Sequence, residues 1–163
     1  MLIAGPVILL GDAVSTDVIY PGRYLTLADR AEQALHALEG MGADWPDRLR
    51  AFPIVAAGWN FGCGSSREQA ATALLGAGVK LVVSKSFSRL FMRNCINNGL
   101  PVIECAAIVD HLATGTGMSA DVGRGQANIG DHAVQFEPLP SSLLAIIQQG
   151  GLLAQLRARE QRA

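Results

Sequence analysis

Residues 52–84 read FPIVAAGWNFGCGSSREQAATALLGAGVKLVVS, and three patterns follow one another in them. FPIVAAG is an apolar run of strand length that breaks up at the glycines of WNFGCG. SSREQAATALLGAG carries apolar residues at helical spacing until its glycines end it, and KLVVS is a second apolar run. A buried strand, a glycine turn, a helix and another buried strand predict parallel strands joined by a helical crossover.

Working outward, FSRLFMRNCINNG at 87–99 predicts a second helix with Gly99 past its C-terminal end, and LPVIEC at 100–105 predicts a third strand. The centre is therefore a βαβαβ segment. Upstream, PVILLG at 6–11 predicts a first strand. The loop after it, DAVSTDVIYPGRYL at 12–25, is rich in turn- and cap-forming types: Asp12, Ser15, Thr16, Asp17, Pro21 and Gly22. The recurrence of Ala31, Leu35, Leu38 and Met41 predicts a helix over 29–39. Between 106 and 140 glycines interrupt short alternating stretches such as HAVQFEP, predicting hairpin strands. The tail at 141–160 returns to helical periodicity around Gly150 and Gly151. No repeat or linker divides the chain, so 1–163 is expected to be one α/β domain.

The 13 Lys and Arg residues against 14 Asp and Glu give a formal net charge of −1. Such a chain has no basic field for nucleic acid or an anionic membrane surface. Its apolar runs are too short to span a bilayer and the N-terminus lacks a signal-peptide pattern, so a cytoplasmic location is expected. Cys63, Cys95 and Cys105 form no CxxC pair, and His36, His111 and His132 lie without ligand spacing. That argues against a disulfide framework and a self-contained metal site.

The chemistry concentrates in GWNFGCGSSREQ at 58–69. A glycine-rich turn that delivers two serines to a helix start is an anion site by construction, because unpaired N–H groups and the positive helix end converge there. Gly62 and Gly64 permit positive φ and a close approach of the backbone. The same residues also read as a capping box, Ser65 as N-cap with Glu68 three residues on. Arg67 beside them adds a planar fork that matches a carboxylate. The segment lacks the GK[ST] ending of a phosphate-binding loop and the GxSxG pattern of a hydrolase elbow, and Cys63 has no identifiable base.

GWNFGCGSSREQA, VSKSFSRLFMRNCINNGLP and DAVSTDVIYPGRYL together resemble the aconitase swivelling-domain family, which includes the small subunits of isopropylmalate isomerases. The likeness runs from Gly11 to about Glu104, and GGLLAQL resembles the family's C-terminal helix. It implies a β/β/α barrel-like swivelling domain and a hydro-lyase that interconverts 2- and 3-isopropylmalate in leucine biosynthesis. It also implies a partner: a large subunit bearing a 4Fe–4S cluster, paired as a heterodimer or heterotetramer, with no metal ligand in this chain. The resemblance assigns Ser65 as catalytic base, Ser66 and Arg67 as carboxylate contacts, and Asp17 as a residue supporting the substrate site. It places Tyr24, Leu25, Thr26 and Leu27 in a loop that reads the substrate's variable group. Relatives acting on tricarboxylates carry an arginine in this loop; Thr26 is no such cation, which favours a dicarboxylate. Thr26 is not the apolar residue of isopropylmalate isomerases either. Homoaconitase and other substituted-malate dehydratases, dimethylmalate or citraconate hydro-lyases among them, are therefore alternatives, as is a non-enzymatic anion-binding module.

Overall fold

In the computed structural model, which describes residues 1–161, the strand at the sheet's pivot is β1, Leu2–Leu9. Its second half pairs in parallel with β2, Ile54–Ala57, through Val7↔Ile54, Ile8↔Val55 and Leu9↔Ala56. Its first half pairs antiparallel with β5, Gly117–Asp121, from Leu2↔Asp121 to Pro6↔Gly117. On the parallel side follow β3, Leu81–Ser84, and β4, Val102–Glu104. On the antiparallel side follow β6, Gln126–Ile129, and β7, His132–Gln135. The result is one curled seven-stranded sheet in the order β4-β3-β2-β1-β5-β6-β7.

β2 sits deep in the parallel half, and each of its four residues is fully buried. Val55 and Ala57 face one apolar cluster with Ile8, Leu74 and Phe91. Ile54 and Ala56 face another with Val7, Leu81 and Ile103. That two-sided burial is why the strand reads as an unbroken apolar run, each Val or Ile contributing about 1.5–3 kcal/mol. The first cluster is covered by α2, Arg30–Ala34, α4, Glu68–Gly76, α5, Arg89–Asn97, and α7, Ser141–Gln148. Short helices α1, Thr16–Ile19, α3, Trp45–Leu49, and α6, Ala106–Val109, and the tail helix α8, Leu152–Glu160, complete the chain.

The central βαβαβ segment, the β6–β7 hairpin in HAVQ and the break between α7 and α8 stand where the sequence predicts them. Gly99 takes φ +88 just after α5. Two expectations are corrected. β1 begins at Leu2 rather than Pro6, because its first half alternates between buried and exposed residues and so does not read as a buried run. The helix expected over 29–39 stops after Ala34. Asp29 caps its start, accepting from Ala31 N and Glu32 N at 2.8 and 3.1 Å. Its end is set by tertiary structure: Leu38 is buried at φ +60, and its N–H donates to the Ile19 carbonyl at 2.7 Å. A long-range bond outweighs a continued helical periodicity, and the chain turns through Glu39–Met41 instead.

Cys95 is fully buried in the first cluster, and burial pushes its thiol well above the ordinary range. Cys63 and Cys105 are half-buried. A neutral maleimide should therefore modify Cys63 and Cys105 in the native chain and Cys95 only after denaturation. Peptide mass mapping of the labelled chain checks this, and native labelling of Cys95 would contradict the packing of α5 described here.

Candidate active site

The turn at 58–66 leaves the carboxyl end of β2, the place where an open parallel sheet gathers ligands. Two neighbouring loops hold it. From the segment after β1, Ala13 N donates to the Trp59 carbonyl at 2.7 Å, Gly62 N to the Val14 carbonyl at 2.8 Å, and Thr16 N to the Cys63 carbonyl at 2.9 Å. From the segment after β3, Ser86 Oγ accepts from Asn60 N at 2.8 Å and the Ser86 carbonyl from Phe61 N at 3.0 Å. Trp59 N donates to Asp12 Oδ1 at 2.7 Å. Gly58 leaves room for that carboxylate, since a Cβ there would lie 1.7 Å from the same oxygen.

Phe61 anchors the turn from beneath. It is fully buried and stands edge-on to Phe91, ring centroids 5.3 Å apart, and to Phe87 at 6.2 Å. Gly62 and Gly64 then take φ +74 and +89 and bring the chain up to the surface. Ser65 and Ser66 are exposed there. The tie at Ser65 is through its backbone, whose carbonyl accepts from the buried Thr16 hydroxyl at 2.8 Å.

The capping box is corrected. Arg67 is extended at φ −123, ψ 110, so α4 opens at Glu68 with Arg67 as the N-cap residue and no side-chain cap. Glu68 does not reach back to Ser65; its carboxylate accepts from Asn98 Nδ2 at 3.0 Å.

Arg67 connects the serine turn to the preceding loops. Its Nη2 lies 2.6 Å from Asp17 Oδ1 and its Nη1 donates to the Tyr20 carbonyl at 3.1 Å. A Cβ on Gly22 would come within 3.3 Å of Nη2, so the guanidinium lies against the start of the 22–27 loop. Asp17 is thus the counter-ion of Arg67, while Ser15 caps α1.

In the loop itself, Leu25 and Thr26 are exposed and Leu27 half-buried. Tyr24 is engaged inward: its hydroxyl donates to Glu39 Oε1 at 2.8 Å and its ring stacks on His36 with centroids 3.5 Å apart. Arg23, the loop's own cation, also donates to Glu39. Burial tends to raise the Glu39 carboxyl, but hydrogen bonds from His36, Tyr24 and Arg23 prevail and hold it below its ordinary range. A cavity of about 380 Å³ lies behind the loop, lined by Leu25, Thr26, Leu27, Arg30, Gln33 and Glu68 among others, and it stops short of Ser65 and Ser66.

Residues 18–107 match the family model described as the aconitase C-terminal domain. The chain belongs to that family. It is 40% identical to "3-isopropylmalate dehydratase small subunit 1" of Methanopyrus kandleri, over 99% of this chain and 96% of the relative. It is 38% identical to the 3-isopropylmalate dehydratase small subunit of Halothermothrix orenii, over 96% of each chain. The crystal structure of a 3-isopropylmalate dehydratase from Methanocaldococcus jannaschii superposes with a TM-score of 0.87 at 36% identity, covering 99% of this chain and 96% of that one.

The roles of Asp12, Ser86 and Glu39 are not read from the sequence: Asp12 and Ser86 hold the turn and Glu39 holds Tyr24 through partners 47, 26 and 15 positions away, which no local pattern marks. The cysteines do not converge: Cys95 is in the core, Cys63 in the serine turn and Cys105 after β4. Among the described residues no three His, Cys, Asp or Glu side chains form a metal site, and no helix is long and apolar enough to cross a membrane. Gly62 tolerates no side chain without displacement, because a Cβ there would lie 2.1 Å from the buried Phe91 Cγ at a positive φ. Gly62→Ala is expected to cost about 2–4 kcal/mol, read as a lower urea midpoint, and to displace the serines.

Proposed function

We propose that this chain is the small subunit of a 3-isopropylmalate dehydratase and carries the base of the reaction, Ser65. Near-full-length similarity to small subunits of that name carries the reading, and the serine turn agrees with it chemically. The reaction removes hydroxide from one carbon of a 2-hydroxy-2-alkyl diacid and a proton from its neighbour, giving an alkene diacid and one water. Re-addition with the two positions exchanged completes the isomerisation, a step of leucine biosynthesis.

Ser65 takes the carbon-bound proton in the first half and returns one in the second. Its backbone is fixed through the carbonyl, which leaves the hydroxyl for substrate. A serine alkoxide needs positive surroundings, and the start of α4 and the Arg67 guanidinium supply them. Arg67 is oriented in advance by Asp17 and the Tyr20 carbonyl, and its remaining N–H donors, with Ser66, are the carboxylate contacts. A 4Fe–4S cluster in the large subunit supplies the Lewis acid for the leaving hydroxyl. Trp59 in the turn and Leu90 at the start of α5, each about half exposed, are the apolar surface for that subunit, in a heterodimer or heterotetramer.

Leu25 and Thr26 are exposed, and Arg23, the cation within the loop itself, is paired with Glu39. That favours an alkyl substituent over the third carboxylate of homoaconitate. The Thr26 hydroxyl, in place of an aliphatic side chain, keeps dimethylmalate and citraconate hydro-lyases as the second reading.

Ser65→Ala in the complex with the large subunit should lower kcat for isopropylmaleate hydration by about 10²–10⁴-fold with assembly intact. Near-normal turnover would assign the base elsewhere. Thr26→Arg should shift relative kcat/KM from isopropylmaleate towards homoaconitate by about 2–4 kcal/mol, since the added guanidinium is unpaired against an alkyl group and paired against a carboxylate. An unchanged ratio would mean that Thr26 does not face the variable group.

A further inference from the structure

We propose that Glu39 and Gln33 are positioning residues for substrate selection, clamping the 22–27 loop at its two ends so that it is ordered before substrate arrives. The inference rests on the reading of that loop given above and adds what holds it.

At the first end, the Glu39 carboxylate collects donors from both sides of a chain reversal. Oε1 accepts from the Tyr24 hydroxyl at 2.8 Å and from Arg23, and Oε2 meets His36 Nδ1 at 2.5 Å. The Arg23 guanidinium lies 4.7 Å from the Tyr24 ring centroid, and the Tyr20 hydroxyl donates to the Tyr24 carbonyl at 2.9 Å. At the second end, Gln33 Nε2 donates to the Leu27 carbonyl at 2.9 Å. Gln33 is 5% exposed, and its side-chain oxygen is taken by the Thr72 hydroxyl on α4, which leaves its NH₂ end directed at the loop.

Between the clamps, Leu25 and Thr26 are exposed; the tie there is long, from Gln69 Nε2 to the Leu25 carbonyl at 3.4 Å. Rigid ends and a free tip are what a selecting loop requires. Ordering it upon binding would be subtracted from the binding energy, whereas order built into the free chain is not. Glu39 has a second effect through the same bonds. Arg23 is the only cation between residues 20 and 29, and holding it on Glu39 keeps it from serving a substrate's extra carboxylate.

The test uses the complex of this chain with its large subunit. Glu39→Ala should raise KM for isopropylmaleate about tenfold while kcat stays within about threefold, and speed hydrogen exchange of amides 22–28 but not of β2 or α4. Its relative activity on homoaconitate should rise, and Arg23→Gln placed on top should abolish that rise. If Glu39→Ala does not assemble, Glu39→Gln, which keeps an acceptor for Tyr24, and Tyr24→Phe should give the same pattern at smaller amplitude. Unchanged KM and unchanged exchange, in a background where Thr26→Arg does alter the substrate ratio, overturns the clamp and leaves the loop's role standing. Faster exchange at 22–28 with no change in any KM, and no effect of Thr26→Arg, overturns the reading of the loop itself.

Discussion

The contact between Arg67 and Asp17, with the Tyr20 carbonyl beside it, is the constraint on which the site's arrangement depends. Three stretches of chain meet there: the serine turn after β2, the short helix α1 after β1, and the beginning of the 22–27 loop. Arg67 is 14% exposed and Asp17 56%, so the pair is not a buried ion pair in the strict sense. The guanidinium is the desolvated member. Removing its carboxylate would leave a largely buried charge held by one carbonyl, the asymmetry that makes breaking such a pair costlier than its net contribution suggests. The pair thus fixes two functional segments relative to each other, and does so without a shared cavity between them.

That meeting point follows from the sheet. β1 spends its two halves on different partners, antiparallel to β5 and parallel to β2, and so lies at the junction of the two halves of the sheet. The segments that leave the carboxyl ends of β1, β2 and β3 emerge side by side, and each binds the next through backbone hydrogen bonds. Phe61, Phe87 and Phe91 seal the turn to α5 from below. The serines are therefore presented by a rigid frame although they stand on a loop, which is the condition for the proton-transfer role proposed for Ser65.

Local patterns made part of this legible. β2, β3 and β4 are buried on both faces and appear as apolar runs; α4 and α5 end at glycines; FGCGSSRE places the serine turn between a strand and a helix. What was not legible is long-range. Leu38 leaves the helical pattern because its N–H finds Ile19, not because its neighbours lack helix propensity. Ser65 and Glu68 have the spacing of a capping box, yet the Thr16 hydroxyl holds the Ser65 carbonyl and Asn98 draws off Glu68. Asp12, Ser86 and Glu39 act through bonds to distant backbone or side chains. His36 and Glu39 stand three apart, the one local hint of the cluster that holds Tyr24.

In the function proposed above, the exposure of Ser65 and Ser66 accounts for a site divided between two chains. In water an alkoxide is strongly disfavoured, and a helix terminus or a guanidinium at the surface is screened. The same dipoles become effective when a second surface covers them and excludes solvent, because their attraction for negative charge then grows while they are already oriented. This chain supplies the oriented parts: Arg67 fixed by Asp17, the turn fixed by two loops, and Tyr24 and Leu27 fixed by Glu39 and Gln33. In the proposed complex the enclosure comes from the partner. Since each of those parts is held by bonds within this chain, docking need not create the geometry, and its binding energy is left for desolvating the serine turn and closing over the substrate.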